Sequence, residues 1–583
     1  MTDIAAASPP AVAARRFNPL WLALPGVLFL LAFLVFPSLQ LLSLSVQDPD
    51  TGEFSLAAFE RAFSVGVYTR VLSTTFMVAL QTTTMCLILG YPLAYWLVRL
   101  PQRRQRMVIL LVLLPFWTSA LVKNFAWLVL LGRNGIVAGF ARWIGIDEPP
   151  DLLFNRGTVI FAMTHTMLPL AVVTMLPVMS QIEARLPLAA QTLGASRVQA
   201  FWRVFFQLSM PGVAAAGLLV FIGSLGFFIT PALLGGPRET MLGQVIISQI
   251  HQLQNWTFAG ALATMLIGSA LATCLIYDQL FGLSSVSGGG QAQHGRNWSQ
   301  RLGMRLLTAI AAVFSAISEG LARLFGRRRF EWVLPVYGWT VIAILLVPIF
   351  AFIPMGFTSS SFLSFPPPGF SLRWFVEYLN SPVWVTATVR SFAIGLATGC
   401  VTLVIAALAA FAIARSNSRA AGAAFLLFMT PMIVPSIVIA VGLFYLFAQL
   451  SLVATDLGIV IGHTVTSIPI AFVILLATLK NYDWRLEQAA ATLGASRWHT
   501  FDRVTIPLVK GGLAAAFIFA FLHSFEELTV AIFIGGGLKT TLPKQMWDDI
   551  LLQVNPTLAA ASVVVLLVVT SLFLLAEYLR PKN

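Results

Sequence analysis

The sequence predicts an all-α polytopic membrane protein in which about twelve transmembrane helices form two pseudo-symmetric halves of six. The chain of 583 residues is 58% hydrophobic and only 10% charged, whereas soluble proteins average about 25% charged residues. Its apolar residues are grouped in runs of about 20 or more, the length of a helix that crosses a bilayer. A stretch of sequence also recurs much later in the chain, which indicates that the two halves repeat each other.

The repeated stretch reads Ala-Ala-Gln-Thr-Leu-Gly-Ala-Ser-Arg at 189–197 and Ala-Ala-Ala-Thr-Leu-Gly-Ala-Ser-Arg at 489–497, an offset of 300 residues. The same offset relates Ser224 to Ser524 without a gap. A period of half the chain makes each copy a domain-sized unit rather than one turn of a solenoid.

Twelve apolar runs follow this plan. The first-half spans are predicted near 20–46, 70–98, 107–132, 157–180, 211–234 and 257–281, and the second-half spans near 332–357, 384–414, 421–449, 457–480, 511–534 and 557–577. Residues 1–282 and 331–583 are therefore predicted to be the two halves, joined by residues 283–330.

Basic residues are concentrated in the short loops on one side of these spans. They lie at 103–106, 185–203, 415–419 and 480–503, whereas the opposite loops are rich in Pro, Gly and Trp. Positively charged loops mark the cytoplasmic side, so both termini and both copies of the repeated stretch are expected in the cytoplasm. The net charge of +13 follows from these loops and does not indicate binding to nucleic acid.

The join between the halves begins with the Gly- and Ser-rich residues 284–291, a composition typical of flexible linkers. Residues 301–325 then mix apolar and charged side chains and are followed by Arg327, Arg328 and Arg329. A further membrane span is the alternative, but it would invert the second half. We therefore predict an amphipathic basic helix on the inner membrane surface, facing anionic lipid head groups.

Several enzyme motifs are missing from the sequence. There is no G-x-x-x-x-G-K-[ST] run, so the chain is not expected to bind ATP through a P-loop. Cys86, Cys274 and Cys400 lie in apolar runs without paired spacing. We predict no catalytic residue, no metal site and no cofactor, and we interpret His463 as a hydrogen-bonded packing residue.

The repeated stretch predicts a helix, a tight turn and a second helix, with the breaks at Gly194 and Gly494. Its small residues let another surface approach closely. Two such elements on the cytoplasmic face are suited to grooves on two copies of a soluble partner. The alternative is a pair of ordinary surface turns at the lipid boundary.

The stretch resembles the EAA loop of bacterial ABC importer permeases, in which small residues and a glycine precede an Ile-Pro-Leu sequence, as at 506–508. The resemblance implies two coupling loops, at about 182–208 and 482–508, that dock on an ATP-binding cassette ATPase dimer. The implied coupling residues are Ala189, Ala190, Gly194, Ala195 and Arg197 in the first loop and Ala489, Ala490, Gly494, Ala495 and Arg497 in the second.

Each loop departs from the family pattern. Leu188 and Gln488 stand at the position of the motif's glutamate, although Glu487 is adjacent in the second loop, and Gln207 stands where the second copy has Pro507. These departures leave open whether the two loops dock equally.

The resemblance extends over almost the whole chain. Residues 89–92 and 114–118 are similar to one permease subunit of spermidine/putrescine importers, and residues 524–527, 541–543 and 555–557 to the other. The chain thus resembles two permease subunits fused into one, with an ABC importer permease fold. The resemblance implies a permease in the bacterial inner membrane, a periplasmic solute-binding protein, and a separate ATPase subunit that binds ATP and Mg.

A polyamine-like solute is the cargo that this resemblance favours. Importers of opines, aminoethylphosphonate and ferric iron share much of the framework, so these solutes are the alternatives within the family. Outside it, an ion-coupled secondary transporter can also consist of repeated halves, and a membrane-bound assembly protein would transport nothing.

Glu526 and Glu527 interrupt the otherwise apolar run 511–534. A charged side chain at the centre of a bilayer costs about 2.5–3.5 kcal/mol, so neither should face lipid. The first half has Gly226 and Phe227 at these positions, so the acids occur in one half only.

We predict that one of the two carboxylates faces the substrate pathway, where it would favour a cation over an anion. The other is expected to face a neighbouring helix, because adjacent helical residues point about 100° apart. Arg390 and Lys123 are the candidate partners. The alternative is that both acids are held in structural ion pairs.

Overall fold

The computed structural model describes residues 18–48, 51–146, 151–281, 332–416, 418–537, 539–552 and 555–579, with four isolated positions between 304 and 317. Within these residues the regular structure is helical, apart from two isolated bridges, Gln47 with Phe54 and Thr358 with Phe370. The prediction of an all-α polytopic protein is confirmed. The linker at 283–330, with its predicted amphipathic helix, lies outside the continuously described residues.

The first-half helices are α1 (Pro19–Leu44), α2 (Ala57–Ser64), α3 (Gly66–Val98), α4 (Gln102–Trp117), α5 (Ala120–Leu131), α6 (Ile136–Trp143), α7 (Arg156–Ser180), α8 (Arg185–Thr192), α9 (Arg197–Leu225), α10 (Ile229–Leu234), α11 (Leu242–His251) and α12 (Trp256–Phe281). The second-half helices are α13 (Val333–Gly356), α14 (Arg373–Asn380), α15 (Pro382–Ala414), α16 (Arg419–Ile433), α17 (Ser436–Gln449), α18 (Asp456–Lys480), α19 (Arg485–Thr492), α20 (Arg497–Glu526), α21 (Thr529–Ile534), α22 (Leu542–Leu552) and α23 (Thr557–Leu579).

Helices of the two halves correspond one to one, except for α6. From α7 and α18 onwards the offset is the 300 residues seen in the sequence, so α8 matches α19 and α10 matches α21. Before that point the offset is 316 residues, as between α3 and α15, which both contain 33 residues. The difference arises in the loop that holds α6, an insertion of the first half.

Ten of the described helical segments are long and apolar enough to cross a membrane. The pair α16 and α17, bent by 98°, forms an eleventh span if the two helices are counted together, and α23 contributes a shorter apolar segment, Thr557–Leu572. Each of the twelve predicted runs therefore contains helix in the structure, but not every run is one continuous helix.

Three predicted spans are interrupted in the structure. The run 107–132 breaks between α4 and α5, where Thr118 and Ser119 are extended, and the run 421–449 breaks at Val434 and Pro435. Proline disfavours a helical conformation of the residue before it, which explains the break at Val434. The predicted continuous span 511–534 is wrong, because α20 ends at Glu526 and the extended Glu527 separates it from α21.

The first helix of each half packs against the other half. Helix α1 lies against α15, α16 and α17, and Gly442 approaches Pro37 so closely that an added Cβ would lie 3.2 Å from its backbone. Helix α13 lies against α3, α4 and α5, where a Cβ on Gly338 would overlap the ring of Trp96. Glycine permits these approaches because it lacks a Cβ. The two halves are therefore interlocked rather than simply adjacent.

Candidate functional site

The repeated stretches have the helix, turn and second helix that the sequence predicts. Gly194 has a φ of +94° and Gly494 a φ of +83°, a region that non-glycine residues rarely adopt. In the first copy the Ala195 N–H donates to the Ala190 carbonyl at 3.0 Å, and the second copy has the same bond from Ala495. With a further bond from each glycine N–H, this is the Schellman termination of a helix.

A serine starts the second helix in each copy. The Ser196 hydroxyl accepts from the Gln199 N–H at 3.1 Å, and the Ser496 hydroxyl accepts from the His499 N–H at 3.2 Å. Both are N-caps, which satisfy an amide left without a partner in the first helical turn. The turn is therefore fixed from both sides by its own sequence.

All ten predicted coupling residues lie at the surface, and corresponding residues have similar exposure in the two copies. The exposed ones are Ala189, Gly194, Arg197, Ala489, Gly494 and Arg497, and the half-buried ones are Ala190, Ala195, Ala490 and Ala495. The structure thus places them on one continuous surface in each loop. Their role in coupling remains a prediction.

Sequence reasoning missed the most prominent apolar side chains of these loops. Leu193 is 89% exposed and Leu493 is 88% exposed, and Trp498 of the second loop is 81% exposed. Each leucine is the C-cap residue before the glycine, so the Schellman turn directs it outwards. Its presence before the glycine in both copies was the signal in the sequence.

The second coupling loop (482–508) is attached to its half by a charged contact. Arg415, directly after α15, donates to the Glu487 carboxylate at 2.7 Å, and its guanidinium lies 4.4 Å from the ring centroid of Trp484. The Thr505 hydroxyl also donates to Glu487 at 2.9 Å. Glu487 therefore joins α15, α19 and the start of α20.

The first coupling loop (182–208) is attached by aromatic contacts instead. Arg99, which corresponds to Arg415, lies over the ring of Tyr95 at 5.3 Å. The Tyr95 ring packs against Phe201 and Phe205, with centroids 4.8 and 5.0 Å away. Pro187 occupies the position of Glu487 and supplies no carboxylate.

Two of the helix breaks inside the membrane are stabilised by charged side chains of opposite sign. The break after α4 frees the carbonyl of Pro115, which accepts a hydrogen bond from Lys123 Nζ at 2.7 Å. The break before α21 frees backbone amides, and Glu527 accepts from Thr529 at 3.1 Å and from Val530 at 2.8 Å. A cation at a helix C-terminus and an anion at an N-terminus are both favourable.

Glu527 therefore has a structural position. It also lies 3.5 Å from His463 Nε2, and His463 Nδ1 is 2.8 Å from the Ser524 hydroxyl. His463 is buried and hydrogen-bonded, as the sequence interpretation held. The predicted pairing with Arg390 is wrong, because Arg390 pairs with Asp456 at 3.2 Å towards the opposite end of the span.

Glu526 has no such support. Its Oε1 atom is buried without a hydrogen-bond partner, although the side chain as a whole is half-buried. Its charge interacts with that of Lys123, which belongs to the other half and is only 2% exposed. No direct ion pair of 4.0 Å or less joins these two described residues. The predicted partnership with Lys123 is thus observed as an electrostatic interaction across the halves.

Other polar groups surround Lys123. His165 is buried, with its Nε2 atom 3.2 Å from the Leu345 carbonyl and its ring 5.4 Å from that of Trp127. The next residue, Asn124, accepts from the Thr230 hydroxyl at 2.8 Å. Polar side chains inside a membrane protein are rare and mark pathways or relays. This cluster is the strongest candidate for a solute-handling site within the membrane.

The cluster lies where the two halves meet. The rings of Phe228 and Trp547, one from each half, are 5.7 Å apart. On the corresponding opposite side, Gly226 lies against Pro435, and an added Cβ would be 3.0 Å from that ring. Elsewhere in the described residues no group of three or more His, Cys, Asp or Glu side chains is arranged to hold a metal ion.

The chain resembles known proteins in sequence. Residues 402–583 match the family described as binding-protein-dependent transport system inner membrane component. The spermidine/putrescine transport system permease protein PotB of Escherichia coli strain K12 is 31% identical over 242 residues, which cover 40% of this chain and 86% of PotB. The spermidine/putrescine permease protein PotC of Haemophilus influenzae is 24% identical over 264 residues, 45% of this chain and 99% of PotC.

A longer match is more distant. The putative ferric transport system permease protein FbpB 1 of Haemophilus influenzae is 22% identical over 531 residues, which cover 87% of this chain and 76% of FbpB 1. Among solved structures, a chain of a bacterial alginate ABC transporter in complex with an alginate-bound periplasmic protein matches at 20% identity and a TM-score of 0.38, covering 44% of this chain and 91% of that chain.

Proposed function

This chain belongs to the family of inner-membrane permeases of binding-protein-dependent ABC transport systems, and from that premise we propose that it imports a polyamine-like cation, driven by ATP hydrolysis on a separate subunit. The family makes it a multi-pass protein of the inner membrane. Both halves of the permease are present in one chain, so one copy would suffice for each transporter.

The observation that best supports ATP-driven coupling is the pair of exposed turns at Gly194 and Gly494. Each carries a leucine, Leu193 or Leu493, that is almost fully exposed on a surface of small residues. Exposed apolar side chains on rigid protrusions are suited to binding a partner's pocket. Two copies related by the internal repeat match the two subunits of an ATPase dimer, which would bind the ATP and Mg.

The direction of insertion follows from the charges of the loops. Arg197 and Arg497 lie on the turns, and basic loops remain cytoplasmic. The ATPase dimer would therefore bind on the cytoplasmic side, where both termini also lie. A periplasmic solute-binding protein would deliver the solute to the opposite face, and transport would follow from the two halves rocking against each other.

Two observations favour a polyamine as the solute. PotB and PotC, both named for spermidine and putrescine, are among the relatives. Glu526 offers a carboxylate at the junction of the halves, and a carboxylate pairs with an ammonium group. Ferric iron is the second candidate, because the similarity to FbpB 1 extends over both halves. No aromatic or acidic feature of the described residues distinguishes a particular polyamine.

The proposal is tested by reconstituting the chain with its ATPase and binding protein in liposomes. We expect uptake of labelled spermidine or putrescine that requires ATP and the binding protein. Uptake of ferric iron but not of either amine would contradict the cargo. Uptake without ATP, driven by an ion gradient, would contradict the mechanism and favour a secondary transporter. A permease with an inactive ATPase partner is the control.

A further inference from the structure

We propose that Lys123 and Glu526 form a charge gate between the two halves, in which the Lys123 ammonium balances the Glu526 carboxylate until a solute ammonium takes its place. This inference rests on the proposed import of an amine. It assigns different tasks to two neighbouring acids and makes Lys123 a specificity-determining residue.

The first step is to separate Glu526 from Glu527. The carboxylate of Glu527 accepts hydrogen bonds from backbone amides of Thr529 and Val530, so its lone pairs are used by the N-terminus of α21. Glu526 is the last residue of α20 and has a buried oxygen without a donor. An unpaired buried polar atom is costly. Glu526 is therefore the acid that can still accept a cationic ligand.

The second step concerns the cation already present. Lys123 donates one hydrogen bond to Pro115 and is almost completely buried. An ammonium has three N–H groups, so this bond leaves two for other acceptors. Its charge interacts with Glu526, and Glu526 feels no other described charge strongly enough to register. In the absence of solute, Lys123 thus supplies the counter-charge that a carboxylate requires inside the membrane.

The third step is the asymmetry of the pair. The first half has Gly226 in place of Glu526, and the second half has Ile439 in place of Lys123. A charge pair needed only to hold the architecture together would be expected in both of these related positions. Each half instead contributes one charge to a single site. Such a site fits a pathway on the pseudo-symmetry axis, where only one binding group is needed.

The fourth step is the position of Lys123 relative to the moving parts. Lys123 is on α5 of the first half, and Glu526 ends α20 of the second. Rocking of the halves would change the separation of the two charges. When they separate, a solute ammonium beside Glu526 preserves neutrality, whereas an anion would leave two uncompensated negative charges. Opening is therefore favoured when an amine is present.

The neighbouring groups are compatible with this exchange. His165 and Trp127 lie beside Lys123 and are buried, and Asn124 is held by Thr230. None of these side chains adds a second carboxylate. The flat faces of Trp127 and of Phe228 and Trp547 offer further attraction for an ammonium, since cations bind aromatic faces.

The experiment compares Lys123→Met, Glu526→Gln, the double variant, and the reversed pair Lys123→Glu with Glu526→Lys. The first measurement is thermal unfolding of the purified chain without solute or partners. We expect both single variants to lower the midpoint and the double variant to recover most of the loss, because removal of one partner leaves the other charge buried and unpaired. Additive losses would overturn the pairing, whatever the cargo is.

The second measurement is uptake of spermidine and putrescine with ATPase and binding protein present. We expect Glu526→Gln to raise KM at least tenfold. We expect Lys123→Met to lower KM and to raise ATP hydrolysis in the absence of solute, because the gate has lost its internal cation. The control is Lys539→Met, which removes a half-exposed lysine that pairs with Asp456 at 2.8 Å and should leave KM unchanged.

The outcomes separate the gate from the proposed function. Intact amine uptake with unchanged KM in both Lys123→Met and Glu526→Gln would overturn the gate and leave the function standing. Non-additive unfolding together with no amine uptake by the unmodified protein would overturn the cargo, and the ammonium exchange with it. The reversed pair should fold as well as the unmodified chain but lose amine uptake, which guards against an effect of misfolding alone.

Discussion

Arg415 Nη2 lies 2.7 Å from Glu487 Oε1, and this contact joins the end of α15 to the second coupling loop. The first loop has Pro187 at the position of Glu487 and relies on Tyr95 and its aromatic neighbours. A charged contact fixes direction more strictly than ring packing does. The two loops are therefore held differently, and we expect them to respond differently to mutation.

Replacing Arg415 with methionine is expected to weaken docking of the ATPase at the second loop while leaving the first loop unaffected. The side chains of Arg415 and Glu487 are 38% and 23% exposed, so the pair is partly screened and contributes on the order of 1 kcal/mol, or about fivefold in an equilibrium constant. The measurement is the affinity of the purified ATPase for the permease. Arg133→Met, which removes a fully exposed pair with Asp151, is the matched control; equal loss in both variants would argue against a specific role.

Valine at Gly194 or Gly494 is expected to uncouple ATP hydrolysis from transport while membrane insertion stays intact. A β-branched residue is disfavoured at a φ near +90° and would cost about 1–2 kcal/mol or distort the turn. The assay is ATPase activity stimulated by loaded binding protein. Asparagine, which tolerates this conformation better, should retain part of the stimulation.

Gly422→Val provides the comparison for those variants, because an added Cβ there meets no atom within 4 Å and its φ is ordinary. If Gly194→Val and Gly494→Val both behave like Gly422→Val, the turns have no part in coupling.

Serine at Leu193 or Leu493 is expected to weaken ATPase binding about tenfold, which corresponds to about 1.4 kcal/mol. These side chains are almost fully exposed in the isolated chain and would be buried only in the complex. Folding of the permease itself should not change, because neither leucine contributes to its core. Leu552, which is 83% exposed on α22, supplies the control variant Leu552→Ser; a similar loss there would contradict docking through the loops.

Alanine at Glu527 is expected to destabilise the chain by about 1.5–3 kcal/mol through loss of hydrogen bonds from backbone amides to a charged acceptor. Glutamine at the same position retains one acceptor and should lose less. Thermal unfolding of the purified protein gives the comparison. An intact midpoint in Glu527→Ala, with altered amine uptake, would exchange the roles assigned to Glu526 and Glu527.

Much of the architecture was predictable because it depends on composition and repetition. Runs of apolar residues indicated the spans, and the 300-residue offset indicated matching halves with helix, turn and helix at Gly194 and Gly494. These features are local, since a run, a glycine and a serine cap determine them with few distant contacts.

What the sequence did not predict depends on contacts between distant residues. The end of α20 at Glu526 could not be anticipated from apolarity, because Glu527 replaces helical carbonyls as the acceptor for amides of α21. The partner of Arg390 was mistaken for the same reason: Asp456 is far from it in sequence and close in space. Exposure of Leu193 likewise follows from the direction of a turn rather than from residue type.

The exchanged first helices have a consequence for biogenesis. Helix α1 leaves the ribosome first, yet its packing partners α15, α16 and α17 are synthesised only in the second half, more than 300 residues later. The first half must therefore wait in the lipid bilayer with an unfilled groove, which α13 occupies when it is inserted. Carrying both halves on one polypeptide shortens that wait to a single round of translation and fixes their stoichiometry at one to one.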